Sequence, residues 1–291
     1  MNLHHLELFH AVASRGNLSR AADDLFTSQP SVSKQLRLLE DSLGVKLLDR
    51  LPRGVALTDA GRILAEHARE IFAHRDRAVR DLDDLAGLGR GRLSIVASRT
   101  VGSYLLPTIL SKYSALHPAI VLEVRVTNTR RSIEMVRQGG AEIALVEGPV
   151  EADEVVGEVF GTDELVVVAA PGHPLAGRKH PVRLERILSE RLMAREAGSG
   201  TRDILDRELA RRNLTWKPSL EVESAEAIKR FVAAGLGIGV LSDLAVAHEL
   251  EDGDLARIRV EGFALKRDLS VVRSRTKSVS AACAAFRACM E

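Results

Sequence analysis

The sequence predicts an N-terminal all-α winged helix-turn-helix with a long linker helix, followed by a C-terminal α/β region of two doubly wound subdomains. Three observations carry this. Between Leu3 and Leu39, apolar residues recur at helical spacing in three short runs, broken at Gly16-Asn17 and at Thr27-Ser28. From Leu64 to Leu85 an apolar pattern alternates spacings of 4 and 3. From Arg92 onward, short β-branched runs alternate with helical ones, and the alternation occurs twice.

Bulk composition bounds the reading. The chain has 291 residues, which suggests about two domains at roughly 150 residues each. With 45% hydrophobic residues it can bury a core. Lys and Arg number 41 against 40 Asp and Glu, a net charge of +1, so any DNA binding must come from a local shaped surface. Aromatics are 3%, which argues against a protein that stacks single-stranded bases. Met1 to His10 lacks the basic-then-apolar plan of a secretory signal. No run of about 18 uninterrupted apolar residues is present, so no membrane span and a cytoplasmic location are expected. Cys283 and Cys289 are expected to be free reduced thiols, and no metal or other cofactor is expected.

Each element has a local cause. Leu3, Leu6, Phe9 and Ala13, widened by Leu8 and Val12, form the first helical stripe, ended by Gly16. Asn17 suits the N-cap of a short helix, Leu18 to Leu25, whose Ala21 and Ala22 allow close crossing. Pro30 suits the first turn of a third helix that buries Val32, Leu36 and Leu39. Helix, tight turn and helix within about 22 residues is the helix-turn-helix plan. The other face of the third helix shows Ser28, Gln29, Ser31, Ser33, Lys34 and Arg37, with no carboxylate before Glu40. Such donors, acceptors and cations at a helix start suit base edges and phosphates, though from this helix alone a solvated polar face fits equally well. Val45 to Leu48 and Val55 to Leu57 then offer two short strands, with Arg50 and Arg53 between them as the tip of a wing. Thr58 and Asp59 can cap a helix to about Leu85, whose seam has one polar break, Arg75. Gly87, Gly89 and Gly91 mark a hinge.

Strands are expected at 93–97, 120–126, 142–146, 165–170, 191–194, 220–223, 238–241 and 269–272. Helices are expected at 101–116, 132–138, 201–212, 225–234 and 279–290. Sheets of this kind bind ligands beyond the carboxyl ends of their strands. Those ends carry Ser98-Arg99-Thr100, Thr127-Asn128-Thr129, Glu147-Gly148, the run Arg195 to Arg202, and Ser224. Gly198-Ser199-Gly200-Thr201-Arg202 combines glycines, hydroxyls and a helix start, which favours an anion. A helix cap and tight turn with nothing bound fits the same residues, and Arg99 could pair an anion or point to solvent.

The stretch Ala21-Ala22, Ser28-Gln29-Pro30-Ser31-Val32-Ser33, Leu38-Leu39-Glu40, Leu43-Gly44, Leu47-Leu48-Asp49-Arg50 and Leu57-Thr58-Asp59-Ala60-Gly61 resembles the signature of the LysR family of transcriptional regulators. Phenylalanine is usual there where Leu48 stands, and Ser-Phe where Asn17-Leu18 stands; both departures keep the chemistry. The resemblance implies DNA contacts from Ser28, Gln29, Ser31, Ser33, Lys34, Arg37, Arg50 and Arg53, with Gln29 and Ser31 at base edges and Lys34, Arg37, Arg50 and Arg53 on phosphates. It implies a winged helix-turn-helix at 1–58, a dimerisation helix at 59–88 and an effector domain of periplasmic-binding-protein type at 89–291. Subdomain I then comprises about 92–162 and 268–291, and subdomain II about 163–267. The partners the resemblance implies are double-stranded DNA at a pseudo-palindromic promoter site, a small effector, the chain itself as dimer and tetramer, and RNA polymerase as a candidate.

Residues 165–175 and 235–240 resemble the family's effector domain, and 198–202 resembles members that regulate sulfur assimilation or carbon dioxide fixation. That finer likeness implies an inorganic anion or a carboxylated or phosphorylated metabolite, lined by Ser98, Arg99, Thr100, Thr129, Ser199, Thr201 and Ser224. Ligand entry between the subdomains is expected to act allosterically on DNA. An enzyme is not expected: Ala197 stands where a Gly-x-Ser-x-Gly elbow needs glycine, and the histidines show no triad spacing. A transport binding protein shares the C-terminal architecture but not the helix-turn-helix or the missing signal segment.

Overall fold

The computed structural model describes residues 1–51, 54–85, 91–277 and 279–290. The chain forms two compact units, Met1–Asp81 and Leu82–Glu291.

The first unit begins with α1 (Leu3–Arg15), α2 (Leu18–Asp24) and α3 (Gln29–Leu43). Each is started by a short polar side chain that accepts from first-turn amides: Asn2 from His5 N, Asn17 from Ser19 N and Arg20 N, Ser28 from Ser31 N. The three helices bury Leu6, Phe9, Val12, Ala21, Ala22, Val32, Leu36 and Leu39 together. Leu3 is the exception to the first stripe, lying exposed at the helix start. The wing is β1 (Leu48–Arg50) against β2 (Val55–Leu57), antiparallel, with Leu48 opposite Leu57. The first strand begins at Leu48 rather than Val45, because Leu47 is buried and the Glu40 carboxylate accepts the Leu47 amide at 2.7 Å and the Leu48 amide at 3.3 Å. Arg50 therefore lies in the strand rather than between the two strands. Arg53 lies outside the described residues.

The long helix is α4 (Asp59–Leu85). Thr58 Oγ1 accepts from Gly61 N at 3.0 Å and donates to Lys46 O at 2.7 Å, so one hydroxyl fixes both the helix start and the wing. Gly61 is forced by close approach: a Cβ there would lie 2.1 Å from the Leu47 carbonyl oxygen. Ala68 and Phe72 of α4 are buried in the core of this unit, and Arg75 reaches Glu7 of α1 at 2.8 Å. The expected seam is thus partly consumed within the unit, while Ile63, Ile71 and Val79 remain exposed.

The second unit runs β3 (Gly91–Ser98), α5 (Arg99–Tyr104), α6 (Leu106–Leu116), β4 (Ile120–Thr127), α7 (Thr129–Arg137), β5 (Ile143–Glu147) and β6 (Val155–Ala169). It continues α8 (Leu184–Leu188), β7 (Leu192–Arg195), α9 (Gly200–Arg211), β8 (Leu220–Val222), α10 (Ala225–Ala233), β9 (Ile238–Ser242), α11 (Asp243–Asp252), β10 (Ala256–Ile258), β11 (Leu265–Ser274) and α12 (Ala281–Ala288). The helix expected at 101–116 is two helices, because Pro107 opens a new first turn after Leu105. Gly91 begins a strand rather than serving as a hinge; Gly87 and Gly89 lie outside the described residues.

The sheet order is β4-β3-β5-β11-β6-β9-β7-β8, with β10 on β6. β3, β4 and β5 pair in parallel, as do β7, β8 and β9. These two parallel sets are joined by β6 and β11, which run antiparallel to each other and to the strands on either side. The sheet is therefore mixed, not parallel throughout. The two subdomains have separate cores, one around Leu93, Ile95, Tyr113 and Phe286 and one around Leu165, Val167, Leu205 and Val240.

Gly61→Ala places a methyl group against backbone that cannot retreat, and should destabilise the first unit by about 1–3 kcal/mol. Thermal unfolding of the full chain followed with DNA binding checks this; an unchanged midpoint would show that the wing relaxes away from α4.

Candidate ligand cleft and nucleic-acid interface

The α3 face proposed for nucleic acid is formed as a surface. Ser28, Gln29, Ser31, Lys34 and Arg37 are exposed and Ser33 is half-buried. Ser28 has a second task, since its hydroxyl caps the helix. Lys34 and Arg37 make no ion pair among the described residues, so their charge is available to phosphate. Glu40, the first carboxylate along α3, is turned to the wing amides and adds no acceptor to the polar face. The side chain of Arg50 and all of Arg53 lie outside what the structure describes. One residue was not legible beforehand: Phe26, between α2 and α3, is 99% exposed with φ at 51°. A lone aromatic in a short polar turn gives no periodic signal.

In the second unit, three helix starts converge where the subdomains meet. Ser98 and Thr100 open α5, Thr129 opens α7, and Ser199 and Thr201 open α9; all five are buried. They surround Glu147, the last residue of β5. Ser98 Oγ donates to Glu147 Oε2, and Thr129 Oγ1 donates to the Glu147 carbonyl at 3.1 Å. Gly200 lies directly against that carbonyl, where a Cβ would come within 2.2 Å. Arg130 N donates to Gly198 O at 3.1 Å, so the two subdomains also meet backbone to backbone.

The cation at the centre is Arg267, which the sequence analysis did not single out. Its side chain has 0% exposure and that of Asp163 1%. The two are opposite one another in the β6–β11 register. Arg267 Nε donates to Asp163 Oδ2 at 2.8 Å, Nη1 to Thr201 Oγ1 at 3.0 Å, and Nη2 to Thr100 Oγ1 at 3.5 Å. Glu147 Oε1 lies 3.7 Å from Nη1, and Ser242 Oγ donates to Asp163 Oδ2 at 2.8 Å. Burial pushes the Glu147 carboxyl above its ordinary value, outweighing the opposing pull of Arg267 and Arg195. Two buried oxygens here, Ser199 Oγ and Asp163 Oδ1, have no hydrogen-bond partner among the described residues. Buried polar atoms are usually paired.

Arg99 and Ser224 behave differently from the other five. Arg99 is held by Glu196 and Glu223. Ser224 is exposed and uses its hydroxyl to cap α10 through Ala227 N. Thr129 also lines a cleft of ≈ 670 Å³ between α7 and α9, whose charged lining mixes Arg130, Arg137 and Arg207 with Glu134, Glu151, Asp203 and Asp206. The thiols take no part: both cysteines are free, and burial pushes Cys283 up to about 12. No helix among the described residues is long and apolar enough to cross a membrane.

Comparison with known proteins covers both units. Residues 3–62 match the family model described as bacterial regulatory helix-turn-helix protein, lysR family, and residues 86–291 match the LysR substrate binding domain. The chain is 37% identical over 287 residues to the RuBisCO operon transcriptional regulator of Allochromatium vinosum, covering 99% of this chain and 94% of that protein. It is 35% identical over 269 residues to the HTH-type transcriptional regulator CysL of Bacillus subtilis, covering 92% and 90%. Among solved structures, CbnR, a LysR family transcriptional regulator, superposes with a TM-score of 0.72 at 22% identity, covering 100% and 98%, a likeness of fold. The regulatory domain of Synechocystis CcmR in complex with 2-PG gives 0.64 at 29% identity, covering 69% of this chain and 96% of that one.

The raised carboxyl of Glu147 has a measurable consequence. Above the ordinary value of 4.5 and below the raised folded value, the folded chain holds this proton and the unfolded chain does not. Its contribution to stability therefore falls as pH rises through that window. Glu147→Gln, which keeps the neutral shape, should gain stability relative to the parent as pH rises. Denaturant unfolding across pH measures this; a difference independent of pH would contradict a buried, proton-holding Glu147.

Proposed function

The chain belongs to the LysR family of bacterial transcriptional regulators, and we propose that its effector is a small anion bound at the three converging helix starts. As a family member it is a DNA-binding regulator with an effector-binding domain, and not an enzyme. The observation that carries the anionic reading is the convergence of three helix starts beside the buried Arg267, with Ser199 Oγ, unpartnered among the described residues, as the hydroxyl left free to donate. Helix starts and oriented hydroxyls favour negative charge. The 2-PG held by the CcmR regulatory domain in its complex supports the same class of ligand. Arg99 belongs to this site as its outermost cation, and Ser224 lies at its rim.

The DNA-binding reading extends to particular residues. Gln29 and Ser31 can both donate and accept, and they read base edges. Lys34, Arg37, Arg50 and Arg53 meet phosphates, and Ser28 and Ser33 support the helix start between them. The exposed apolar residues of α4 favour self-association, first as a dimer and then as a tetramer that presents paired recognition helices to a pseudo-palindromic promoter site. The effector prefers one angle between the subdomains, and so biases how the assembly spaces or bends its DNA and admits RNA polymerase. The place of action is the cytoplasm.

Two outcomes follow. Full-length protein heated with sulfate, phosphate or 2-PG should gain stability with at least one of them, by about 2.7 kcal/mol at a hundred times its Kd; Thr201→Ala should remove the gain. A flat response to all three anions would turn the reading toward neutral ligands. Gln29→Ala should weaken specific DNA binding by about 1–3 kcal/mol while leaving non-specific binding intact; equal losses on both DNAs would sink its base-reading role.

A further inference from the structure

Arg99 spans the two subdomains. It is the first residue of α5, in one subdomain, and both of its acceptors belong to the other. Nη1 donates to Glu196 Oε1 at 2.5 Å, just after β7. Nη2 donates to Glu223 Oε2 at 2.8 Å, just after β8. A guanidinium presents two parallel donors that together fit one carboxylate or phosphate. Here that fork is divided between two glutamates of the same chain.

The two glutamates are not equivalent. Glu196 has a side chain only 11% exposed and is held a second time, by Arg195 Nε at 3.0 Å. Glu223 is 74% exposed, and Arg99 is its one partner among the described residues. Arg99 and Arg195 balance the charges of Glu196 and Glu223. An anion arriving beside Arg99 adds charge to a balanced group unless one glutamate leaves. Glu223 can leave at little cost, because its carboxylate is already mostly in water. Glu196 stays, because Arg195 neutralises it in a buried place.

We propose that Glu223 is a built-in competitor of the effector: its carboxylate holds the half of Arg99 that an anionic ligand takes over. This rests on the reading of the cleft as an anion site. Glu223 thereby raises the anion concentration needed for response and selects ligands with two coplanar oxygens, which displace it, over those offering one. An exposed ion pair of this kind holds back the ligand by up to about fivefold.

The test is calorimetric titration of the full-length protein with sulfate, inorganic phosphate and 2-PG at constant ionic strength. The variants are Glu223→Gln, Arg99→Ala, and Glu221→Gln as a control that removes one negative charge from β8, two residues before Glu223. The competitor predicts that Glu223→Gln tightens binding about three- to fivefold, that Glu221→Gln leaves it unchanged, and that Arg99→Ala weakens it more than about tenfold. If Glu223→Gln has no effect, or Glu221→Gln tightens binding equally, while Arg99→Ala still abolishes it, the competitor is wrong and the anion site stands. If Arg99→Ala binds like the parent, the competitor falls because Arg99 does not hold the ligand. If none of the three anions binds the parent or Glu223→Gln, the anionic reading falls and takes the competitor with it.

Discussion

A guanidinium with no exposed surface sits where two long strands cross between the subdomains, and the architecture of the effector domain follows from keeping it paired. A buried charge left without a partner costs several kcal/mol. Arg267 meets this by facing Asp163 across the β6–β11 register, with Thr100 and Thr201 on its remaining donors and Glu147 behind them. Thr100 belongs to the first subdomain and Thr201 to the second, so satisfying one side chain brings both helix starts to one place. Ser98, Thr129 and Gly200 then pack on Glu147 and its carbonyl. Pairing that cation thus also brings the helix starts together, and it leaves Ser199 Oγ there without a partner among the described residues.

The DNA-binding unit depends on smaller devices of the same kind. Three polar caps start three helices, and Thr58 ties the start of α4 to the wing. Glu40 shows how one placement serves two ends. By accepting the Leu47 and Leu48 amides it sets where the wing begins, and it turns a negative charge away from the polar face of α3. The polar face of α3 is left with hydroxyls, an amide and two cations along its first turns.

Much of this was legible in the sequence, for identifiable reasons. Asn17, Ser28 and Pro30 act locally, so their positions alone place α2 and α3. The hydroxyls at the strand ends were legible because doubly wound sheets put their ligand sites there. What was missed lies in the crossing strands. β6 and β11 were visible only at their apolar ends, 165–170 and 269–272, because Thr162, Asp163, Glu164, Lys266, Arg267 and Asp268 interrupt the apolar run. Those polar residues are strand all the same, since their partners are tertiary, and no local pattern announces a pairing between residues 163 and 267. Arg99 was legible as a cation at a helix start, free to pair or to face solvent, whereas its two glutamate partners were not legible. The heptad reading of α4 overlooked Phe72, which lies off the seam and packs into the unit's own core.

The most direct measurement is hydrogen exchange of the full chain carrying Asp163→Asn, compared with the parent. If one buried cation organises the site, its loss of charge balance should lower protection together at 98–101, 128–131 and 199–202, in both subdomains, while β4 and the core around Tyr113 keep theirs. Loss confined to β6 and β11, with the three helix starts as protected as before, would show that the helix starts hold their places without Arg267 and would contradict the account.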